Sequence, residues 1–225
     1  MDGVLVDNMK AHTEAWLELF RDRGYELDVH EFIRRTAGMK AEDVIRQFID
    51  NTLSDEQALV LSDQKDFLYR VMYRKQLVPL QGLLNFLEAS ASQQIPMGVA
   101  TGSSPENINL VLGGLGLKRY FKTVVGAVDV RRGKPDPEIY LKVAALLDAP
   151  PERCLVFEDA MSGIEAARRA GMKAIALSTS HSAADFHGVP GVVHVTPDFS
   201  SLTPDSALLH LNGSHDLQSS HSRSK

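Results

Sequence analysis

The feature that most limits what this chain can fold into is the alternation of short apolar runs and helical segments through its second half. Runs beginning at Ile95, Thr123 to Val128, Cys154 to Phe157, Lys173 to Leu177 and Gly191 to Val195 read as strands. Pro137 to Leu147 and Gly163 to Ala170 read as the clearest helices. Strands separated by helices need crossover connections, which predicts a parallel sheet with right-handed crossovers. In an open α/β sheet the ligand sits beyond the carboxyl ends of the strands, near the point where the strand order reverses. Chemistry is therefore sought in the residues that end each apolar run.

Three of those ends are suited to an anion or a cation. The run from Ile95 to Ala100 ends in Thr101-Gly102-Ser103-Ser104, ahead of a helical segment from Pro105 to Leu112. Thr101 offers a hydroxyl, and the N–H groups of Gly102 and Ser103 stand where a helix start favours an anion. The same loop also reads as an ordinary helix cap. In Gly133-Lys134-Pro135-Asp136-Pro137 a lysine is fixed just before a helix, with proline suited to an early helical position. Its compact charge is able to neutralise a phosphate and a carboxylate together. The run from Arg153 ends abruptly in Glu158 and Asp159. Ser162 and Glu165 have the spacing of a capping box, so a helix is expected right after the two acids. Adjacent carboxylates repel unless a divalent cation is present, and Mg²⁺ takes few carboxylates in an oxygen shell shared with phosphate.

The chain opens with Asp2-Gly3-Val4-Leu5-Val6-Asp7-Asn8. This string resembles the latter part of the Asp-x-Asp-Gly-Val/Thr-Leu-x-Asp signature of haloacid dehalogenase superfamily phosphohydrolases. Lys134-Pro135-x-Pro137 and Glu158-Asp159-x-x-x-Gly163-Ile164-x-Ala166-Ala167 follow in the family's order, and the resemblance runs from Asp2 to about Leu177. It implies a Rossmann-like α/β core over 1–8 and 81–211, with an inserted α-helical cap over 9–80. It also implies Mg²⁺-dependent hydrolysis of a small phosphorylated metabolite through an aspartyl-phosphate. Asp2 would be the general acid and base, and Thr101, Gly102, Ser103 and Lys134 would hold the phosphoryl group. Mg²⁺ would lie at Asp2, Glu158 and Asp159. In the cap, Thr36-Ala37-Gly38-Met39-Lys40 resembles the substrate-facing loop, which makes Lys40 the candidate for specificity.

In the family's signature the attacking aspartate stands two residues ahead of Asp2, one ahead of Met1, at the end of an apolar strand. Neither is in this sequence. The expectation is a core without its first strand, a mis-called start or a fragment, and no turnover from the chain as written. Two other readings stand beside hydrolysis. A β-phosphoglucomutase needs a second phosphate grip, and here Ala41 and Ser104-Pro105 replace the residues that supply it. A non-catalytic phosphate-binding relic follows if Met1 is the true start.

Composition agrees with an ordinary globular protein, 44% hydrophobic and 24% charged. A net charge of -5 without a basic stripe excludes nucleic acid as the main partner. No apolar run has the length to cross a membrane. The lone Cys154 precludes an internal disulfide, fits a reducing cytoplasm and reads as a packed thiol. Residues 212–225, rich in Ser and His, are expected to be disordered. Nothing in the pattern sets an oligomeric state.

Overall fold

The computed structural model describes residues 1–36 and 41–212. Lys40 and residues 213–225 therefore lie outside the described residues, except that Asn212, expected in the tail, closes the last helix.

Four helices come first: α1 (Met9–Arg21), α2 (Val29–Thr36), α3 (Ala41–Phe48) and α4 (Asp55–Tyr73). The start of α4 is fixed by a capping box, since the Ser54 hydroxyl accepts the Gln57 N–H while the Gln57 side chain accepts the Ser54 N–H. Phe20, Phe32 and Val44 form a separate buried cluster, with Trp16, Leu27, Phe48 and Ile49 packed against it. Phe20, Phe32 and Phe48 meet edge to face at 5.4 to 6.1 Å. Trp16 and Phe20 are thus core residues of the helical cap.

The rest is α/β: α5 (Leu83–Ser92), β1 (Gly98–Ala100), α6 (Pro105–Ile108), β2 (Thr123–Val125), α7 (Glu138–Leu147), β3 (Leu155–Glu158), α8 (Met161–Arg169), β4 (Lys173–Leu177), β5 (Val192–Thr196) and α9 (Pro204–Asn212). All pairing is parallel, in two sheets, β1–β2 and β3–β4–β5. Among the described residues no ladder joins β1 to β3. Residues 1–6 lie where the two sheets converge: Met1, Val4, Leu5 and Val6 are buried in one cluster with Val99, Ile175 and Leu177. The Leu80 N–H donates to the Leu5 carbonyl at 2.8 Å, tying the return from the cap to this segment.

Two local expectations are corrected. The strand from Thr123 stops at Val125 instead of Val128, because the chain turns there: the Gly126 N–H donates to Asp129 Oδ2 at 2.8 Å and the Ala127 N–H to the Ser103 carbonyl at 3.2 Å. The helical segment expected from Pro105 to Leu112 forms, winding as a π-turn over Asn109–Gly113. Ser162 and Glu165 form no capping box, as α8 begins one residue ahead of Ser162 and the Glu165 side chain binds Arg168 and Arg169. No side chain caps α8; Glu158 instead fixes the loop ahead of it, its Oε2 accepting the N–H groups of Asp159 and Ala160 at 2.8 and 3.0 Å.

Candidate active site

The loops that leave β1, β3 and β4, together with the loop before α7, surround the segment from Asp2 to Asn8. After β1, the Thr101 N–H donates to the Val125 carbonyl at 3.0 Å, extending the ladder and burying Thr101. The Thr101 hydroxyl lies 2.8 Å from the Ser103 hydroxyl and accepts the Ser103 N–H at 3.2 Å. Ser103 Oγ in turn donates to Asp2 Oδ2. Gly102 faces open space, with nothing within 4 Å of where a Cβ would stand. Thr101, Ser103 and Asp2 are therefore brought together, with Gly102 at the opening.

On the other side, Lys134 donates to Glu158 Oε1, which also accepts the Tyr140 hydroxyl at 2.9 Å. Glu158 is buried and its two oxygens are fully engaged, by Lys134 and Tyr140 on one and by the loop N–H groups on the other. Asp159 accepts the Ser180 hydroxyl and presses against the main chain at Gly3, where a Cβ would fall 1.9 Å from Asp159 Oδ2. Gly3 also has φ +65, so the second residue of the Asp-Gly pair has to be glycine on both counts. The Thr179 hydroxyl holds the Gly3 carbonyl at 2.5 Å. Met1 lies among these groups, its amino nitrogen within electrostatic reach of Asp2, Lys134, Glu158 and Asp159 alike.

The charges are unequal by design of the surroundings. Burial pushes Asp2 up, but the hydrogen bond and charge of His12 and the Ser103 hydroxyl outweigh it, holding Asp2 well below the usual carboxylate range. Burial likewise opposes ionisation of Glu158, yet the adjacent Lys134 ammonium wins and brings it down to about 2. Burial would also deprotonate Lys134, and the charge of Glu158 reverses that, keeping the lysine charged far above its ordinary range. Asp159 has no such cation; burial and the charge of Glu158 push it up to about 7. Among the described residues no three His, Cys, Asp or Glu side chains are grouped as a metal cage. The carboxylate left without an ion-pair partner is Asp159, which lies against the main chain at Gly3, and a single carboxylate beside backbone suits a hard cation that takes few carboxylates.

The sequence reading missed the groups that the cap brings down. Asn8 is buried; its Nδ2 donates to Asp2 Oδ1 and to the Tyr69 hydroxyl, each at 2.6 Å, and its Oδ1 accepts the Gly3 N–H at 3.2 Å. His12, on α1, stacks on Tyr69 at 3.8 Å and places Nε2 3.6 Å from Asp2 Oδ1. Lys65, on α4, lies 3.4 Å from His12 Nδ1. An ammonium only donates, so the contact with Lys65 is a hydrogen bond only where His12 Nδ1 carries no proton. Position along α4 was the available signal: its buried face runs Ala58, Ser62, Lys65, Tyr69, Tyr73, and a lysine on that face is out of place unless it has work there.

Comparison with known proteins agrees with this geometry. Residues 1–171 match the family model for haloacid dehalogenase-like hydrolases. The chloroplastic 5-amino-6-(5-phospho-D-ribitylamino)uracil phosphatase of Arabidopsis thaliana is 30% identical over 181 residues, 80% of this chain, which spans about half of that protein (48%). The fructose-1-phosphate phosphatase of Escherichia coli strain K12 is 33% identical over 175 residues, covering 78% of this chain and 92% of that one. The crystal structure of a β-phosphoglucomutase from Clostridium difficile superimposes with a TM-score of 0.80 over 94% of both chains at 24% identity, a likeness of fold. No helix among the described residues is long and apolar enough to cross a membrane.

Proposed function

Because the chain belongs to the haloacid dehalogenase-like hydrolases, we propose that it serves Mg²⁺-dependent hydrolysis of a small phosphomonoester, sugar phosphates among them, through an aspartyl-phosphate. The observation that carries this reading is the set of charged groups gathered round the opening segment: Asp2 held by Ser103, Asp159 pressed on the main chain of Gly3, and Lys134 held on Glu158 of the same strand end. The family's attacking carboxylate would be joined at the Met1 nitrogen, one residue ahead of Met1.

Lys134, kept protonated by Glu158, meets the phosphoryl oxygens as a fixed cation, and the Thr101 hydroxyl and the Gly102 N–H complete the cradle. Glu158 acts through Lys134, since its own oxygens are taken. Ser103 orients Asp2 with its hydroxyl. Asp2 would give its proton to the leaving oxygen as the aspartyl-phosphate forms and recover one from the attacking water as it is hydrolysed, acting as acid and then as base. The Asp159 carboxylate and the Asp2 main-chain carbonyl would hold Mg²⁺, which when bound neutralises charge on the phosphoryl group. The free Cys154 suits the cytoplasm as the place of action. A phosphomutase is the second reading, favoured by the shared fold with β-phosphoglucomutase.

The test is phosphate release from sugar phosphates by the chain preceded by an apolar strand ending in Asp, compared with the same protein ending in Asn. Release that needs Mg²⁺ and the Asp is expected; equal release by the Asn form, or by the chain starting at Met1, overturns the aspartyl-phosphate route. Conversion of a sugar phosphate to its isomer without phosphate release identifies a mutase.

A further inference from the structure

The roof of the site is a closed ring of contacts that the phosphoryl cradle does not explain. Ser103 donates to Asp2, and the next residue, Ser104, donates from Oγ to Asp66 Oδ2 at 3.1 Å. Asp66 Oδ1 accepts Lys65 Nζ at 2.6 Å, Lys65 Nζ meets His12 Nδ1 at 3.4 Å, and His12 returns to Asp2 at 3.6 Å. Lys65 and Asp66 come from α4 in the cap and His12 from α1, while Asp2, Ser103 and Ser104 belong to the core. The Lys65 and Asp66 side chains are only 7% and 13% exposed. Neighbours in a helix do not face each other, so the lysine stem is bent across the helix to reach its own neighbour. A buried pair of that kind costs desolvation on both sides, and so is poor evidence of a purely stabilising role.

We propose that Asp66 is a specificity-determining residue: by neutralising Lys65 in the roof, it adapts the site to leaving groups that carry hydroxyls and no charge, and sets it against a second phosphate. This rests on the phosphomonoester reading above and goes beyond it. Of the three donors of Lys65, one goes to Asp66 and one to His12, which leaves one for a substrate hydroxyl. Asp66 keeps lone pairs that accept from a hydroxyl. A neutral polyol therefore finds a donor and an acceptor side by side. A second phosphate finds a cation already cancelled, with a desolvated carboxylate beside it, and like charges in contact are a strong means of exclusion.

The test is calorimetric titration of the whole chain in Mg²⁺ with fructose 1-phosphate and with fructose 1,6-bisphosphate, for the natural protein and for Asp66→Asn, Asp66→Ser and Ser104→Ala. Circular dichroism establishes which variants are folded, and either folded Asp66 variant suffices. The natural protein is expected to bind the monophosphate at least as tightly as the bisphosphate. Loss of the Asp66 charge should move the ratio of bisphosphate to monophosphate affinity by roughly tenfold or more towards the bisphosphate. Ser104→Ala, which breaks the ring but keeps the ion pair, should leave the ratio unchanged. An unaltered ratio in the folded Asp66 variants overturns the role of Asp66 alone. Failure of the folded natural protein to bind either sugar phosphate overturns the phosphomonoester reading, and this inference with it.

Discussion

Lys134 and Glu158 hold each other in a charge state that neither would keep alone, so removing one strands the other. Lys134→Met leaves an uncompensated carboxylate in a buried site and should cost about 3–5 kcal/mol, measured by urea unfolding. Glu158, with its native pKa near 2 against an ordinary 4.5, contributes stability that is complete above about 4.5 and is lost as pH falls towards 2. Asp159 has the opposite sign. Raised from 3.8 to about 7, it prefers its proton in the native state, so the protein without a divalent cation loses stability as pH rises between those values. Mg²⁺ should therefore raise the melting temperature more at pH 8 than at pH 5, and EDTA should abolish the difference. An Mg²⁺ effect independent of pH would remove Asp159 from the cation's shell.

Among the elements, the strand-to-helix junction at Glu158 and the capped start of α4 show how much was legible beforehand. The apolar run ahead of Glu158-Asp159 marked a buried strand, and β3 forms within one residue of it. The Ser162–Glu165 spacing pointed to a cap that does not form, because α8 starts at Met161 and Glu165 turns to Arg168 and Arg169. Glu158, which takes the N–H groups of the loop just ahead of the helix, is set there by the tertiary fold, and spacing along the chain carries no trace of it. Gly163 is part of the same device: a Cβ there would stand 2.0 Å from Glu158 Oε1, so Gly163→Ala should displace Glu158 and weaken phosphate binding with α8 still formed. Titration with inorganic phosphate checks it, and unchanged affinity would show that the glutamate tolerates the shift. In the cap, Phe20→Ala should cost about 3–5 kcal/mol, read from denaturant unfolding, since Phe20 is fully buried and central to the aromatic cluster.

At the scale of the molecule, the alternating pattern correctly indicated a parallel α/β core carrying a helical cap, because crossover topology is written in the order of the elements. The core half of the site was legible for a related reason: Thr101, Glu158 and Asp159 stand at the ends of apolar segments, and Asp2 and Lys134 lie in short strings of distinctive composition. The cap half was not. Lys65 and His12 are 53 positions apart, and their contact exists only once α1 and α4 lie side by side across the core loops. The two separate sheets give a further expectation. Extension ahead of Met1 by an apolar strand should slow amide exchange in β1 and β3 together, and slowing of neither would place the added residues elsewhere. On the floor of the site, where Asp159 presses on Gly3, the wall is bare main chain with no room for any side chain. Such a wall leaves no side chain there to vary, so a change of ligand at this floor has to come from residues other than these two.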